Sequence, residues 1–260
     1  MDIATWNING VKARLETAAR WLQAARPDIV LLQETKSEDP AFPRDVFEDL
    51  GYNVAIHGQK GFNGVAILSK LPLEDVSFRL PGDEADDHAR FIEAVVSLPW
   101  GALRVASLYL PNGNPVGSDK FAYKLAWTER LHAWAELRLR AEETFVMGGD
   151  YNIIPEPRDT RFPSNWTSDA LFQPEPRAAW RRLVHLGLTD ALRASTPNPG
   201  VYTFWDYQAG AWQKDNGIRI DHFLLSPQAA DRLEGVAIDR EPRGWDKPSD
   251  HVPVIVRIAT

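Results

Sequence analysis

The sequence contains no cysteine, which excludes a disulfide scaffold, a thiolate-held zinc and a thiol nucleophile. No run approaches the ~18 apolar residues of a membrane span. The opening Met1-Asp2-Ile3-Ala4-Thr5 lacks the basic-then-apolar order of a secretory signal. A cytoplasmic protein without a membrane partner is therefore expected. Basic charge is in deficit: 29 Lys and Arg stand against 36 Asp and Glu, a net charge of −7. That balance weighs against gripping a polyanion by bulk attraction, but not against a partner whose phosphates are met by a bound cation. Low-complexity stretches, repeats and charge blocks are also missing. Nothing marks a boundary, and residues 1–260 are expected to form a single domain, acting as a monomer.

What is present is a core. Apolar residues make up 44% of the chain, with ten Trp, eleven Phe and six Tyr, which excludes disorder. Strand-like runs fall at Asp2–Trp6, Ile29–Leu32, Gly64–Leu68, Phe91–Leu98, Leu103–Leu110, Thr144–Gly148, Arg219–Leu225 and Val252–Ile258. Pro99-Trp100-Gly101 predicts a hairpin, so part of the sheet must be antiparallel. Helical stripes run through Leu15, Ala18, Ala19 and Leu22, through Trp127, Leu131, Trp134 and Ala135, and through Trp180, Leu183 and Val184. Mixed strands with interspersed helices predict an α/β sandwich with helices outside.

The informative residues follow the strands. Asn7 ends the first run, Glu34 the second, Tyr109 the fifth (with Asn112 beyond it) and Asp150 the sixth, followed by Asn152. Asp221 stands inside Arg219-Ile220-Asp221-His222, and Asp250-His251 precedes the last strand. Each alone reads as a cap or turn residue. Together they describe a polar rim on a rigid apolar scaffold, where ligands bind in such sheets. Glu34, Asp150, Asp221 and Asp250 would repel one another unless a cation or an imidazolium sat among them. Oxygen donors without Cys favour Mg²⁺, with Mn²⁺ as a substitute, over zinc. A hard cation, amide donors and a His beside an Asp fit metal-assisted phosphoester hydrolysis better than acyl transfer, for which no Gly-x-Ser-x-Gly elbow exists.

Six motifs in order carry a resemblance. Thr5-Trp6-Asn7-Ile8-Asn9-Gly10, Leu32-Gln33-Glu34-Thr35-Lys36, Tyr109-Leu110-Pro111-Asn112, Gly149-Asp150-Tyr151-Asn152, Thr203-Phe204-Trp205, and Ile220-Asp221 with Ser249-Asp250-His251 resemble the exonuclease III family. That family lies within the endonuclease/exonuclease/phosphatase superfamily. The resemblance spans nearly the whole chain. It implies a four-layer α/β sandwich, two mixed sheets face to face between helices. It also implies Mg²⁺-dependent hydrolysis of double-stranded DNA: 3′→5′ exonuclease action, 3′-end cleaning and cleavage 5′ to abasic sites. By the same resemblance Glu34, with Asn7, Asn9 and Asp250, would hold the metal. Asp150 would activate water, Asn152 would support it, and His251 paired with Asp221 would stabilise the developing charge. Tyr109 and Asn112 would hold the scissile phosphate. Lys36, Phe204, Trp205, Ile218, Arg219 and Ile220 would face the DNA, with Phe204, Trp205, Ile218 and Ile220 forming a pocket for a flipped abasic sugar. Strand alternation lets only one of the two aromatics face the rim; Phe204 is expected there and Trp205 in the core.

Departures from the family pattern stand at Asp215, where an Asn is usual, and at Ile218, where a larger residue is common. The connection from Ile153 to Trp180 is also unusual, and its Arg158, Arg161 and Arg177, with Arg181 and Arg182 just beyond, are candidates to follow a DNA backbone. Two rival readings are a phosphoesterase of the same superfamily with an inositol-phosphate, RNA or lipid head-group substrate, and a catalytically silent DNA-binding domain.

Overall fold

Short aliphatic runs fold as strands and the amphipathic stretches between them as helices, across the residues 1–260 that the computed structural model describes. The first half of the chain forms β1 (Asp2–Asn7), α1 (Leu15–Ala25), β2 (Ile29–Gln33), α2 (Arg44–Glu48), β3 (Asn53–His57), β4 (Val65–Ser69), β5 (Glu74–Phe78), β6 (Phe91–Leu98) and β7 (Gly101–Tyr109). Then come α3 (Asp119–Arg140), β8 (Phe145–Asp150), α4 (Pro174–His185), β9 (Thr189–Asp190) and α5 (Ala191–Ser195). The chain closes with β10 (Asp221–Leu225), α6 (Pro227–Ala230), β11 (Leu233–Ile238) and β12 (Val254–Ile258).

Two six-stranded sheets result, in the orders β11-β12-β1-β2-β4-β3 and β5-β6-β7-β8-β10-β9. Each has one parallel pair, β1 with β2 and β7 with β8. The expected hairpin joins β6 to β7, with Leu98 opposite Gly101. The sheets face each other through Ile3, Ile29, Leu31, Val65 and Ile67 on one side and Ile92, Val105, Val146 and Phe223 on the other. Outside the first sheet, Trp21 of α1 and Phe47 of α2 cover Ala4, Trp6, Val30 and Leu32. Outside the second, Trp127 and Leu131 of α3 and Trp180 of α4 cover Ala106, Leu108 and Met147. This is the expected four-layer sandwich.

Alternation also decides where polarity lies. Inward positions on β1 run Ile3, Thr5, Asn7, and on β2 Ile29, Leu31, Gln33. The interior thus changes from aliphatic to polar along its length. Gln33 marks the change: its amide donates to Thr5 Oγ1 (3.0 Å) within its own sheet and to Ser107 Oγ (3.0 Å) on the opposite one. Every member of that layer is buried and bonded, as a dry polar layer must be.

Two glycines on β8 allow close approach, Gly148 to the facing sheet and Gly149 to the neighbouring strand β7. A Cβ on Gly148 would collide with the ends of the Phe223 and Leu31 side chains, and one on Gly149 with the backbone carbonyl of Leu108. Side-chain tips move more easily than a strand backbone. Gly149→Ala should therefore cost more stability than Gly148→Ala, the latter in the ~1–3 kcal/mol range of overpacked cores. Denaturant unfolding of both variants measures the order, and a larger loss at Gly148 would contradict it.

Candidate active site at the sheet ends

The topology collects the polar strand ends. Because β1 and β2 are parallel, Asn7 and Glu34 leave at one end; because β7 and β8 are parallel, Tyr109 and Asp150 leave together. Antiparallel β10 begins where β8 finishes, with Asp221 opposite Asp150. Antiparallel β12 returns along β1, so Asp250-His251 arrives at the same rim. A hydrogen bond from Asn7 Nδ2 to Asp150 Oδ2 (3.0 Å) joins the two sheets there. Backbone bridges from Phe204 to Ile218 and to His251 add a short ribbon beside it.

Asn7 Nδ2 also donates to Glu34 Oε1 (2.8 Å), while Asn7 Oδ1 accepts from the Asn9 backbone N–H (3.0 Å). Asp150 Oδ1 accepts from the Asn152 N–H (2.9 Å), and Asn112 Nδ2 donates to Asn152 Oδ1 (3.3 Å). His251 Nδ1 lies 2.8 Å from Asp221 Oδ2, and its Nε2 is 3.7 Å from Asp150 Oδ2. Glu34 and Asn152 take positive φ, 49° and 47°, a local backbone cost accepted where the strands break into the rim.

Charges in this dry corner answer to one another. Burial pushes the Asp150 carboxyl up to about 7, with the charge of Asp221 adding and His251 opposing. Burial works to lower His251, but Asp221 and Asp150 overcome it and raise the ring to about 10. The ring is thus an imidazolium at neutral pH. Burial works to raise Glu34 as well; the Asn7 hydrogen bond and the Lys36 charge hold it below its ordinary value. Burial beside Glu34 and Asp150 lifts Tyr109 well above a free phenol, keeping it a neutral donor.

Ligand atoms of Glu34, Asp150 and His251 lie within 4.8 Å of one another. With the imidazole protonated, the cation-binding donors are the two carboxylates, hard oxygens suited to Mg²⁺ or Mn²⁺. Asn9 and Asp250 stand at the edge of this group, Asn9 Nδ2 donating to Asp250 Oδ1 (3.0 Å). Lys36 Nζ sits on two oxygens of the same corner, Glu34 Oε2 (2.9 Å) and Asn9 Oδ1 (2.6 Å). It lies here as a partly exposed cation on the acidic cluster.

The DNA-facing places that the resemblance implies for four residues need correction, while the expectation from alternation that Trp205 lies in the core agrees with the structure. Arg219 is buried, with its guanidinium on Asp159 (2.7 Å) and Asp190 (2.9 Å), so it presents nothing to a ligand. Trp205 is fully buried and packs edge-on against Trp212, its indole N–H donating to Asp215 (3.1 Å). Ile218 and Ile220 are buried with Ile154 and Phe172 beneath Phe204, a floor rather than a face. Phe204 itself is half-buried and stands edge-on to the His251 ring at 4.9 Å. Asp215 turns towards Trp205 and Arg240 (2.7 Å), away from the Asp221 side.

Sequence reasoning missed Lys124. It is completely buried on α3, donating to the backbone oxygens of Asn112 (2.9 Å) and Asn152 (2.5 Å) and tying both loops to one helix. The available signal was a lysine in step with the apolar stripe Phe121, Trp127, Thr128, Leu131. Tyr207 and Arg14 were also missed: Asn9 Nδ2 and Arg14 Nη2 each donate to the Tyr207 hydroxyl at 3.2 Å.

If Asp221 sets the His251 charge, Asp221→Asn should bring the ring pKa far below 10, because burial then acts against a weaker field. NMR titration of the imidazole from pH 6 to pH 10 reads this directly. A ring that stays charged across that window in the variant would refute the pairing.

Comparison with known proteins agrees with this geometry. The sequence model described as Endonuclease/Exonuclease/phosphatase family matches residues 4–251. Exodeoxyribonuclease III of Haemophilus influenzae is 34% identical over 262 residues, covering 98% of each chain. An AP endonuclease from Archaeoglobus fulgidus superposes with a TM-score of 0.94 at 37% identity, covering 100% of both chains. The 3′ phosphatase NExo from Neisseria, in a structure bound to product DNA hairpin, gives a TM-score of 0.95 at 36% identity, again over 100% of both.

Proposed function

The chain belongs to the endonuclease/exonuclease/phosphatase family, and we propose that within it the protein is a metal-dependent DNA-repair nuclease of the exodeoxyribonuclease III type. Its reactions would be 3′→5′ removal of nucleotides from duplex DNA, cleaning of blocked 3′ ends and incision 5′ to abasic sites. The observation that carries this reading is the buried His251–Asp221 pair facing Asp150 across 3.7 Å, with Glu34 beside them. The similar proteins, an exodeoxyribonuclease, an AP endonuclease and a 3′ phosphatase bound to product DNA, support the substrate class. No helix is long and apolar enough to cross a membrane. We take the protein to act as a monomer.

Glu34, with Asn7, Asn9 and Asp250, would hold Mg²⁺ or Mn²⁺, which when bound polarises a phosphoryl oxygen and offsets its charge. Asp150, poised near neutrality by burial, accepts the proton of the attacking water. His251 directs an N–H at the phosphoryl oxygen, where charge grows as the P–O bond to the leaving oxygen breaks. Asn112, Asn152 and Tyr109 supply further donors to the phosphate, in a site that excludes much of the water competing with them. Phe204, standing against His251, limits what lies beside the scissile phosphate. A sugar without its base fits there at little unstacking cost.

Incubation with intact, 3′-phosphate and abasic labelled duplexes tests the substrate class. Chelation should abolish every cleavage, and Mg²⁺ or Mn²⁺ should restore it while Ca²⁺ restores far less. Full activity in excess chelator would overturn the metal assignment. His251→Ala and Asp150→Asn should each lower kcat by about 10³-fold or more, the scale for removing a transition-state donor or a general base.

The two neighbouring aromatics separate structure from selectivity. Trp205→Ala should destabilise by about 3–5 kcal/mol, as truncation of a buried tryptophan does. Phe204→Ala should leave the melting temperature close to wild type while lowering the abasic-to-intact cleavage ratio. Melting curves and cleavage ratios of both variants distinguish these roles, and the opposite pattern would show that the pocket is built from the other face.

A further inference from the structure

Of the five arginines that the sequence marks as candidates to follow a DNA backbone, two are neutralised by carboxylates and a third lies over an aromatic ring, outside the cavity lined by the other two. Arg158 is paired with Glu156 (2.6 Å), Arg182 with Glu129, and Arg161 lies over the Phe162 ring. The other two, Arg177 and Arg181, stand one helical turn apart on α4. They line a cavity of about 400 Å³ with His185, Trp180, Val184 and Arg193 of α5. None of these residues belongs to the catalytic rim. The volume is within the ~300–1,000 Å³ range of small-ligand sites.

The charges here are unbalanced in an otherwise acidic protein. Like charges four residues apart on a helix oppose folding unless something lies between them. Arg177 has its Nε on the Pro155 carbonyl (2.9 Å) and its guanidinium on the Phe172 ring (4.5 Å), which leaves both terminal nitrogens without a hydrogen bond. Arg181 makes no ion pair or side-chain hydrogen bond. Arg193 is anchored by Asp159 and by the Asn198 carbonyl (2.7 Å), yet its Nε is buried with no partner. The two carboxylates on the cavity wall are already spent: Glu156 on Arg158, and Asp190 on Arg219 at 2.9 Å. Burial, and next the charge of Arg181, lower the Arg177 pKa, outweighing the opposing charges of Glu156 and Asp159.

We propose that this cavity between α4 and α5 is a second site, binding the phosphate of a small ligand, either a mononucleotide or inorganic phosphate, with Arg177, Arg181 and Arg193 as donors. Guanidinium forks match phosphate oxygens in geometry and charge. The arrangement favours a single anionic group over a strand. A backbone presents phosphates in a row, whereas here the free cations line one recess and the arginines flanking it, Arg158 and Arg182, are neutralised.

The test is calorimetric titration of the full chain, in chelator, with 2′-deoxyadenosine 5′-monophosphate, with inorganic phosphate and with a short single-stranded oligonucleotide. Arg181→Glu should weaken mononucleotide or phosphate binding by about tenfold or more, the scale of a charge-assisted hydrogen bond. Arg182→Glu, one residue away but outside the cavity, should not. Equal affinities for the two small ligands identify the phosphate alone as the recognised group, and tighter mononucleotide binding adds the nucleoside. The proposal falls if neither small ligand binds at millimolar concentration. It also falls if binding is lost in Asn112→Ala but kept in Arg181→Glu, or if Arg181→Glu weakens only the oligonucleotide.

Discussion

Negative charge held in a dry corner is the constraint around which this protein is built. Glu34, Asp150 and Asp221 come from three strands of two sheets and meet where the sandwich interior reaches its end. Three carboxylates so placed repel one another far more strongly than in water. The neighbouring groups answer that repulsion one carboxylate at a time. His251 lies on Asp221, Lys36 on Glu34, and Asn7 bridges Glu34 to Asp150. Asp150 is left with the least compensation, accepting neutral N–H donors and facing the imidazolium only at 3.7 Å. Its raised pKa is the residue of that imbalance, and it is what a proton acceptor at neutral pH requires.

The site was readable because alternation makes the change from apolar to polar visible along each central strand. Ile3, Thr5, Asn7 and Ile29, Leu31, Gln33 are one pattern written twice, and the structure joins the two at Gln33 and Asn7. The central strands stood out for the same reason. The four strands that escaped notice, β3, β5, β9 and β11, lie at the four outer edges of the two sheets. An edge strand buries less and carries polar residues on both faces; β5, Glu-Asp-Val-Ser-Phe, is mostly exposed. It has no apolar rhythm to read. Lys124 escaped for the opposite reason: its position in the rhythm was clear, but a lysine there reads as the solvated side of a helix until the two carbonyl oxygens it meets are known.

Arg219 shows how a residue beside Asp221 can serve the rim without facing it. Alternation separates the two side chains, as the strand period requires, and sends the guanidinium to Asp159 and Asp190. Asp159 belongs to the irregular connection after Asn152, Asp190 to the short edge strand β9, and Arg219 to the approach to β10. One buried cation therefore ties together three segments that no regular backbone ladder joins continuously. Such a network adds little net stability after desolvation, and breaking it is expensive because a charge is left buried without a partner. Its physical return is placement. The backbone of Arg219 bonds to the Asp159 carbonyl (2.8 Å), the next residues bond to Thr203 Oγ1, and Asp221 thereby reaches its position beneath His251. The same fixed frame carries Ile218 and Ile220 under Phe204. In a chain with more acid than base, the cations are used sparingly: the buried ones orient the loops, and the imidazolium stands where the carboxylates of the two sheets converge.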